Sequence, residues 1–175
     1  NITLTIGNGP AASVSGTATV PASGGIAAFT DARINQSGTG YQLLASSGAL
    51  TTSLSTSFNI TPAGVSASQS TVSASPSPIT AGGAASTITV TARDAFGNPI
   101  QGATVVLAST GTVNTLTGPS GTTNASGVAT GTLSSTKAEL KTVSATINAG
   151  AGAVAITQTA GVTVNTETIQ KRRLE

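Results

Sequence analysis

The sequence predicts an all-β protein of tandem β-sandwiches, and three observations carry that prediction. Apolar residues alternate with Thr and Ser at a period of two in Ile2-Thr3-Leu4-Thr5-Ile6, Ile88-Thr89-Val90-Thr91-Ala92 and Val143-Ser144-Ala145-Thr146-Ile147. Such spacing puts one set of side chains on each face of a half-buried antiparallel strand. Turn-forming clusters separate the runs: Gly7-Asn8-Gly9-Pro10, Ser23-Gly24-Gly25, Ala81-Gly82-Gly83, Gly97-Asn98-Pro99 and Gly118-Pro119-Ser120-Gly121. Composition is the third observation. Ala, Gly, Ser and Thr make up 103 of the 175 residues, while Leu, Ile, Val and Phe supply only 37, so each module has a thin core. Charged residues are 7 % and the net charge is +2, which is not the composition of a disordered polyampholyte.

Taken in order, the alternating runs predict strands at 2–6, 14–20, 26–34, 40–46 and 54–61 in a first module spanning 1–62. The Pro- and Gly-containing stretch Thr61-Pro62-Ala63-Gly64 marks the boundary, and 63–69 reads as a linker. A second module over 70–165 carries strands at 70–79, 87–94, 103–109, 113–117, 127–134, 140–148 and 154–165, the last including the alternation Val162-Thr163-Val164. The tail 166–175 reads as a short helix or an extended end.

Self-comparison gives a repeat of about a hundred residues. Gly9 and Gly111 each follow a strand and stand 102 residues apart, as do Ile26 and Val128 in the similar segments Ala22–Ala27 and Ala125–Ala129. Tyr41-Gln42-Leu43-Leu44-Ala45 is similar to Lys141-Thr142-Val143-Ser144-Ala145. Seven strands in a hundred residues is the count of an immunoglobulin-like sandwich. By this register residue 1 corresponds to about residue 103, so the first module is expected to lack its two N-terminal strands, leaving unpaired edges and part of its core open. The sequence carries neither an initiator Met nor a signal peptide and reads as a processed product or a piece of something longer.

One landmark is Asp94-x-x-Gly97-Asn98-Pro99-Ile100-x-Gly102 followed by Val105 and Val106, and a second is Thr122-Thr123-Asn124-Ala125-Ser126-Gly127-Val128-Ala129. Together they resemble the bacterial immunoglobulin-like domain of invasin and intimin type over about 66–165. Residues 1–62, with Gly38-Thr39-Gly40-Tyr41-x-Leu43-x-Ala45-Ser46-Ser47 and Ser57-Phe58-Asn59-Ile60, look like the C-terminal two-thirds of a related repeat. The resemblance implies tandem immunoglobulin-like β-sandwiches, an extracellular or cell-surface setting in bacteria, and a role in a rod that holds a binding tip away from the cell. It implies architecture and setting more than a ligand.

The landmark residues also have a local reading. Gly97-Asn98-Pro99 is a turn between strands, since Gly and Asn tolerate left-handed φ and Pro ends pairing. Asp94 is placed to accept hydrogen bonds from the turn amides, and Gly102 permits a positive φ or a bulge where the next strand begins. A calcium role for Asp94 is disfavoured, because the ion needs six or more oxygens and no second carboxylate lies nearby in sequence. Tyr41 alternates with Leu43 and Ala45, which points it into a core. Phe29, Phe58 and Phe96 are expected to add local core bulk. Lys137 and Lys141 flank Glu139 and read as a solvated face, with a Lys–Asn isopeptide staple as the alternative. The C-terminal segment carrying Ile156, Val162, Val164 and Ile169 is a candidate strand donor to another chain.

The absent residues bound the chemistry. Without Cys or His there is no disulfide framework, thiolate nucleophile, Cys-ligated zinc or imidazole base, so no catalytic, cofactor or metal site is expected. The five carboxylates are scattered singly. Basic residues outside the final run Lys171-Arg172-Arg173 nearly balance the acidic ones, and aromatics are 2 %, so no nucleic-acid surface is expected. Apolar stretches are too short to insert into a membrane as a helix. The expected function is a non-catalytic spacer or stalk repeat whose partners are neighbouring repeats or other copies of the chain. The alternatives are a fibre subunit joined by strand complementation and a glycan- or receptor-binding module.

Overall fold

The structure is a computed structural model that describes residues 1–148, 150 and 152–167. Its chain divides into two compact units, Asn1–Pro62 and the residues from Ala63 onward. The described residues form strands and turns, with no helix among them.

The second unit is a two-sheet sandwich. One sheet has the order β10-β11-β8-β6, built from β6 (Thr71–Ser75), β8 (Ser86–Thr91), β10 (Asn114–Thr117) and β11 (Val128–Ser135), all antiparallel. The other sheet centres on β12 (Leu140–Asn148), which pairs with β9 (Thr104–Ser109), β13 (Ala153–Ala155) and β14 (Ala160–Asn165). A short parallel pairing of β7 (Ile79–Thr80) with β14 completes that sheet, with Val164 opposite Ile79. Alternation selects the core. Ile88 and Val90 of β8 and Leu133 of β11 face Val143, Ala145 and Ile147 of β12 and Val162 and Val164 of β14, all buried.

Two strands expected as continuous are split. The run 70–79 breaks after Ser75, where Pro76 and Pro78 cannot donate to a ladder. Its second piece then changes sheets, so β6 pairs with β8 while β7 pairs with β14. The run 154–165 separates into β13 and β14 around Ile156–Thr159. Residues 63–69 hydrogen-bond into this unit: Ser66 N–H donates to Arg93 O at 2.8 Å, and Val65 bridges Asp94.

The first unit is one sheet, β2-β1-β3-β4, with β5 also pairing β3. Its strands are β1 (Ile2–Asn8), β2 (Thr19–Val20), β3 (Gly38–Ser46), β4 (Ser53–Leu54) and β5 (Phe58–Ile60). Here β3 pairs with β1, β4 and β5, just as β12 pairs with β9, β13 and β14. The repeat read from the sequence is therefore a repeat of topology. The two glycines follow it. Gly9 has φ +114° and a side chain there would meet Tyr41; Gly111 has φ +81° and a side chain there would meet Lys141.

The expected strands at 14–20 and 26–34 form in only a small part. Apart from Thr19–Val20, these segments hold isolated bridges, Ser15 to Arg33 and Ser23 to Ile26. The physical reason is pairing. In the second unit, β10 and β11 belong to a sheet continued by β8 and β6, whereas the strands of 1–62 form the single sheet β2-β1-β3-β4 with β5. Tyr41 is the only core hydrophobic of the first unit that is fully buried. Its hydroxyl donates to Gln36 O at 3.1 Å, and its ring stacks on Phe58 with centroids 6.0 Å apart.

Candidate functional site

The densest polar constellation lies at the turn Asp94–Gly102 in the second unit. Strand β8 ends at Thr91, and Arg93 pairs with Pro99 across the turn. Asp94 is fully buried, and both carboxylate oxygens are occupied. Oδ1 accepts Phe96 N–H and Asn98 N–H, each at 2.9 Å. Oδ2 accepts Asn98 Nδ2 at 2.8 Å and Ala63 N–H at 3.0 Å. One side chain thus holds the turn and also the first residue of its own unit. Gly97 has φ +85° and Gly102 φ +80°, left-handed conformations that an L side chain adopts at a cost. Burial on its own would raise the Asp94 pKa. The hydrogen bonds from Asn98, Ala63 and Phe96 outweigh it and keep the group below its ordinary 3.8.

The second landmark packs against the first. Gly102 N–H donates to Thr123 O at 2.8 Å and Thr123 N–H to Ala103 O at 2.9 Å. The buried Thr123 hydroxyl donates to Ile100 O at 2.6 Å and accepts Ala103 N–H at 3.0 Å. Asn124 Oδ1 accepts Ser126 N–H and Val128 N–H, the side-chain turn that starts β11. Ala92 N–H donates to Gly127 O at 2.8 Å. Buried Ser70 adds a further tie, accepting Arg93 N–H at 3.0 Å. Apart from the side-chain bond between Asn98 and Asp94, the hydrogen bonds named here tie side chains to backbone or backbone to backbone. No group of three or more acidic, His or Cys side chains able to hold a metal occurs among the described residues.

Two side-chain placements differ from expectation, those of Phe96 and Lys141. Phe96 is 59 % exposed rather than core bulk, because its amide faces Asp94 and its ring is directed out of the turn. Phe29 and Phe58 are half-buried. Lys141 is fully buried rather than on a solvated face. It occupies the inward register of β12 with Val143, Ala145 and Ile147, so its ammonium must find partners inside. It donates to Thr112 O at 2.7 Å and contacts Glu139. Lys137 Nζ lies 2.9 Å from the other Glu139 oxygen, and Thr112 N–H donates to Glu139 at 3.1 Å. These contacts give its Nζ partners inside the unit. Extending the alternation of Val143, Ala145 and Ile147 back by one step was the signal for its burial.

The bonds from Lys141, then Lys137, then Thr112 hold Glu139 at a pKa of about 2 against an ordinary 4.5. Because the folded value is the lower one, this contribution to stability is complete above pH 4.5 and disappears as pH falls toward about 2. Asp31 and Asp94 are lowered too and add to the same acid limb. Glu139→Gln is therefore expected to lower the denaturation midpoint at pH 7 and to flatten, without abolishing, the fall between pH 4.5 and 2. Urea titrations of both proteins at pH 7 and pH 3 check this, and an unchanged pH difference would remove Glu139 from the account.

The candidate donor segment is engaged within its own unit. Ile156, Val162 and Val164 are buried, and β14 pairs with both β12 and β7. Giving up β14 would dismantle that sheet. Ile169 lies outside the described residues.

Two facing sheets, β12 flanked by β9 and β14, and the parallel β7–β14 closure define an immunoglobulin-like sandwich. The chain belongs to the family described as bacterial Ig-like domain (group 1), whose model matches residues 69–168. Among solved structures, it is similar to InvD of Yersinia pseudotuberculosis, at 21 % identity and TM-score 0.57, covering 98 % of this chain and 50 % of that one. It is also similar to FdeC, a broadly conserved Escherichia coli adhesin, at 22 % identity and TM-score 0.55, covering 91 % and 53 %. The Yersinia pseudotuberculosis adhesin InvE matches at 31 % identity and TM-score 0.49, covering 58 % and 28 %. The chain thus spans 28 % to 53 % of the length of these relatives. The comparison with curated proteins gives no match.

Proposed function

We propose that the chain is a non-catalytic pair of consecutive modules in a bacterial surface protein of the adhesin kind, acting as a spacer that sets the distance of a binding tip from the cell. The observation that carries this reading is the recurrence of one strand topology in two successive units, the second of which belongs to a bacterial immunoglobulin-like family. Repeats in tandem add length in proportion to their number, which is what a spacer requires. The named relatives FdeC and InvE, both adhesins, support the cell-surface setting. The Asp94 network fits the same role, since its hydrogen bonds fix the turn and the entering chain.

The test places the chain on a bacterial surface between an anchor and a known binding tip. The tip is expected to engage its target as well as it does on an unrelated spacer of equal length. The chain displayed without a tip is expected to give no adhesion to epithelial cells or glycan arrays. Saturable adhesion without the tip would replace the spacer reading with that of a binding module.

A further inference from the structure

Strand β9 of the second unit has one free edge. Thr110 N–H donates to Thr142 O at 3.0 Å, and from there the register places Ala108 opposite Ser144, Val106 opposite Thr146 and Thr104 opposite Asn148. Hydrogen-bonded pairs alternate along an antiparallel ladder, so these residues bond to β12 while the N–H and C=O groups of Val105, Leu107 and Ser109 point the other way. On that side the backbone pairing stops at Ala103, whose carbonyl accepts Thr123 N–H at 2.9 Å.

The first unit shows that this edge accepts a strand. There β1, the counterpart of β9, pairs with β3 on one side and with β2 on the other, Ile2 opposite Val20 and Thr3 opposite Thr19. By the 102-residue offset those two partners correspond to Thr122 and Gly121, which belong to no strand. Other edge strands of the second unit are protected. Val72 N–H on the edge of β6 donates to Gln158 Oε1 at 3.1 Å, and Pro76 and Pro78 follow that strand. Strands β7, β10 and β13 are only two to four residues long. Strand β9 has six residues, Thr104-Val105-Val106-Leu107-Ala108-Ser109, with no charge, no Pro and no shift of register, and Val106 is 66 % exposed.

We infer that the free edge of β9 is an interaction surface for a second copy of this chain, the two β9 strands pairing antiparallel across a two-fold axis at Leu107. The edge is complementary to itself in that register. Leu107 exchanges main-chain bonds with its own equivalent, Val105 with Ser109, and the exposed Val106 packs against Ala108 of the other copy. No like charges meet, because the strand carries none. Main-chain bonds supply most of the attraction, as in other strand additions. One strand pair buries less than the roughly 1,200 Å² of a stable complex, so the association is weak and favoured where copies stand close together.

The test is sedimentation equilibrium of the full chain, with residue-resolved amide hydrogen exchange at low and high concentration. A monomer–dimer equilibrium is expected with a dissociation constant between about 10 μM and 1 mM. The amides of Val105, Leu107 and Ser109 are expected to slow as the concentration rises, while those of Thr104, Val106 and Ala108 change little. Val106→Lys blunts the edge and is expected to raise the dissociation constant at least about 10-fold, with the urea midpoint of the second unit near that of the parent. Leu140→Lys, at a position 64 % exposed in β12 of the same sheet, is expected to leave the dimer intact. A chain that stays monomeric throughout would overturn the inference. So would a dimer whose slowed amides lie in residues 1–62, or one that Val106→Lys leaves unchanged. These readouts involve no adhesion, so they can fail while the spacer reading stands, and the display experiment can fail while they succeed.

Discussion

Asp94→Ala is expected to destabilise the second unit by about 3–5 kcal/mol, because a single truncation strips the acceptor from four donors at once. Phe96 N–H, Asn98 N–H, Asn98 Nδ2 and Ala63 N–H all point at the two oxygens, in a place closed to water. Asp94→Asn keeps the volume but not the function. Whichever way the amide is turned, its NH2 faces two of those donors, so most of the loss is expected to persist. Urea denaturation read from the second unit measures the loss. Amide exchange at Ala63 measures the tie to the entering chain and is expected to accelerate in both variants. A loss below 1 kcal/mol for the alanine variant would mean that the turn is held by its backbone bonds alone, such as Asp94 N–H to Asn98 O at 3.0 Å.

Tyr41→Ala is expected to unfold the first unit and leave the second intact. The ring is the only fully buried hydrophobic side chain in residues 1–62, and it stacks on Phe58, the next-largest contributor nearby. Removing a buried aromatic costs about 3–5 kcal/mol, which exceeds what a single sheet with one such residue can lose. Tyr41→Phe removes only the hydroxyl bond to Gln36 O, worth about 1 kcal/mol, and is expected to keep the unit folded but weakened. Two-dimensional NMR of the full chain separates the outcomes: resonances of 2–60 collapse in Tyr41→Ala, and those of 70–165 stay in place. Retention of dispersed resonances over 38–46 would show that the sheet does not depend on this ring.

Much of the fold was legible because strand alternation and turn chemistry are local. Val143 to Ile147 and Ile88 to Val90 declare their inward faces by spacing alone, and Tyr41 declares its own by alternating with Leu43 and Ala45. The Asp94 turn was legible for the same reason, since Asp, Gly, Asn and Pro each favour the conformation they hold. Its reach to Ala63, 31 residues earlier in the chain, was not legible, because nothing local to either residue encodes that approach. Residues 26–34 show the opposite failure. Ile26, Ala32 and Ile34 have a strand's composition, yet a strand needs a neighbour, and propensity does not supply one. Phe96 is exposed despite its size because a turn tip directs its side chain outward. Lys141 is buried despite its charge because its register in β12 is inward, and Glu139 and Thr112 are the partners that make the position tolerable.

The central claim is that one repeat occurs twice, closed over residues 63–167 and open over 1–62. Native-state amide hydrogen exchange on the unmodified chain tests it most directly. Ladder amides of Ser86–Thr91 and Val128–Ser135 are expected to exchange only by global unfolding of their unit, Gly38–Ser46 at an intermediate rate, and 26–34 nearly as fast as an unstructured peptide. Protection at 26–34 equal to that at 128–135 would contradict the account.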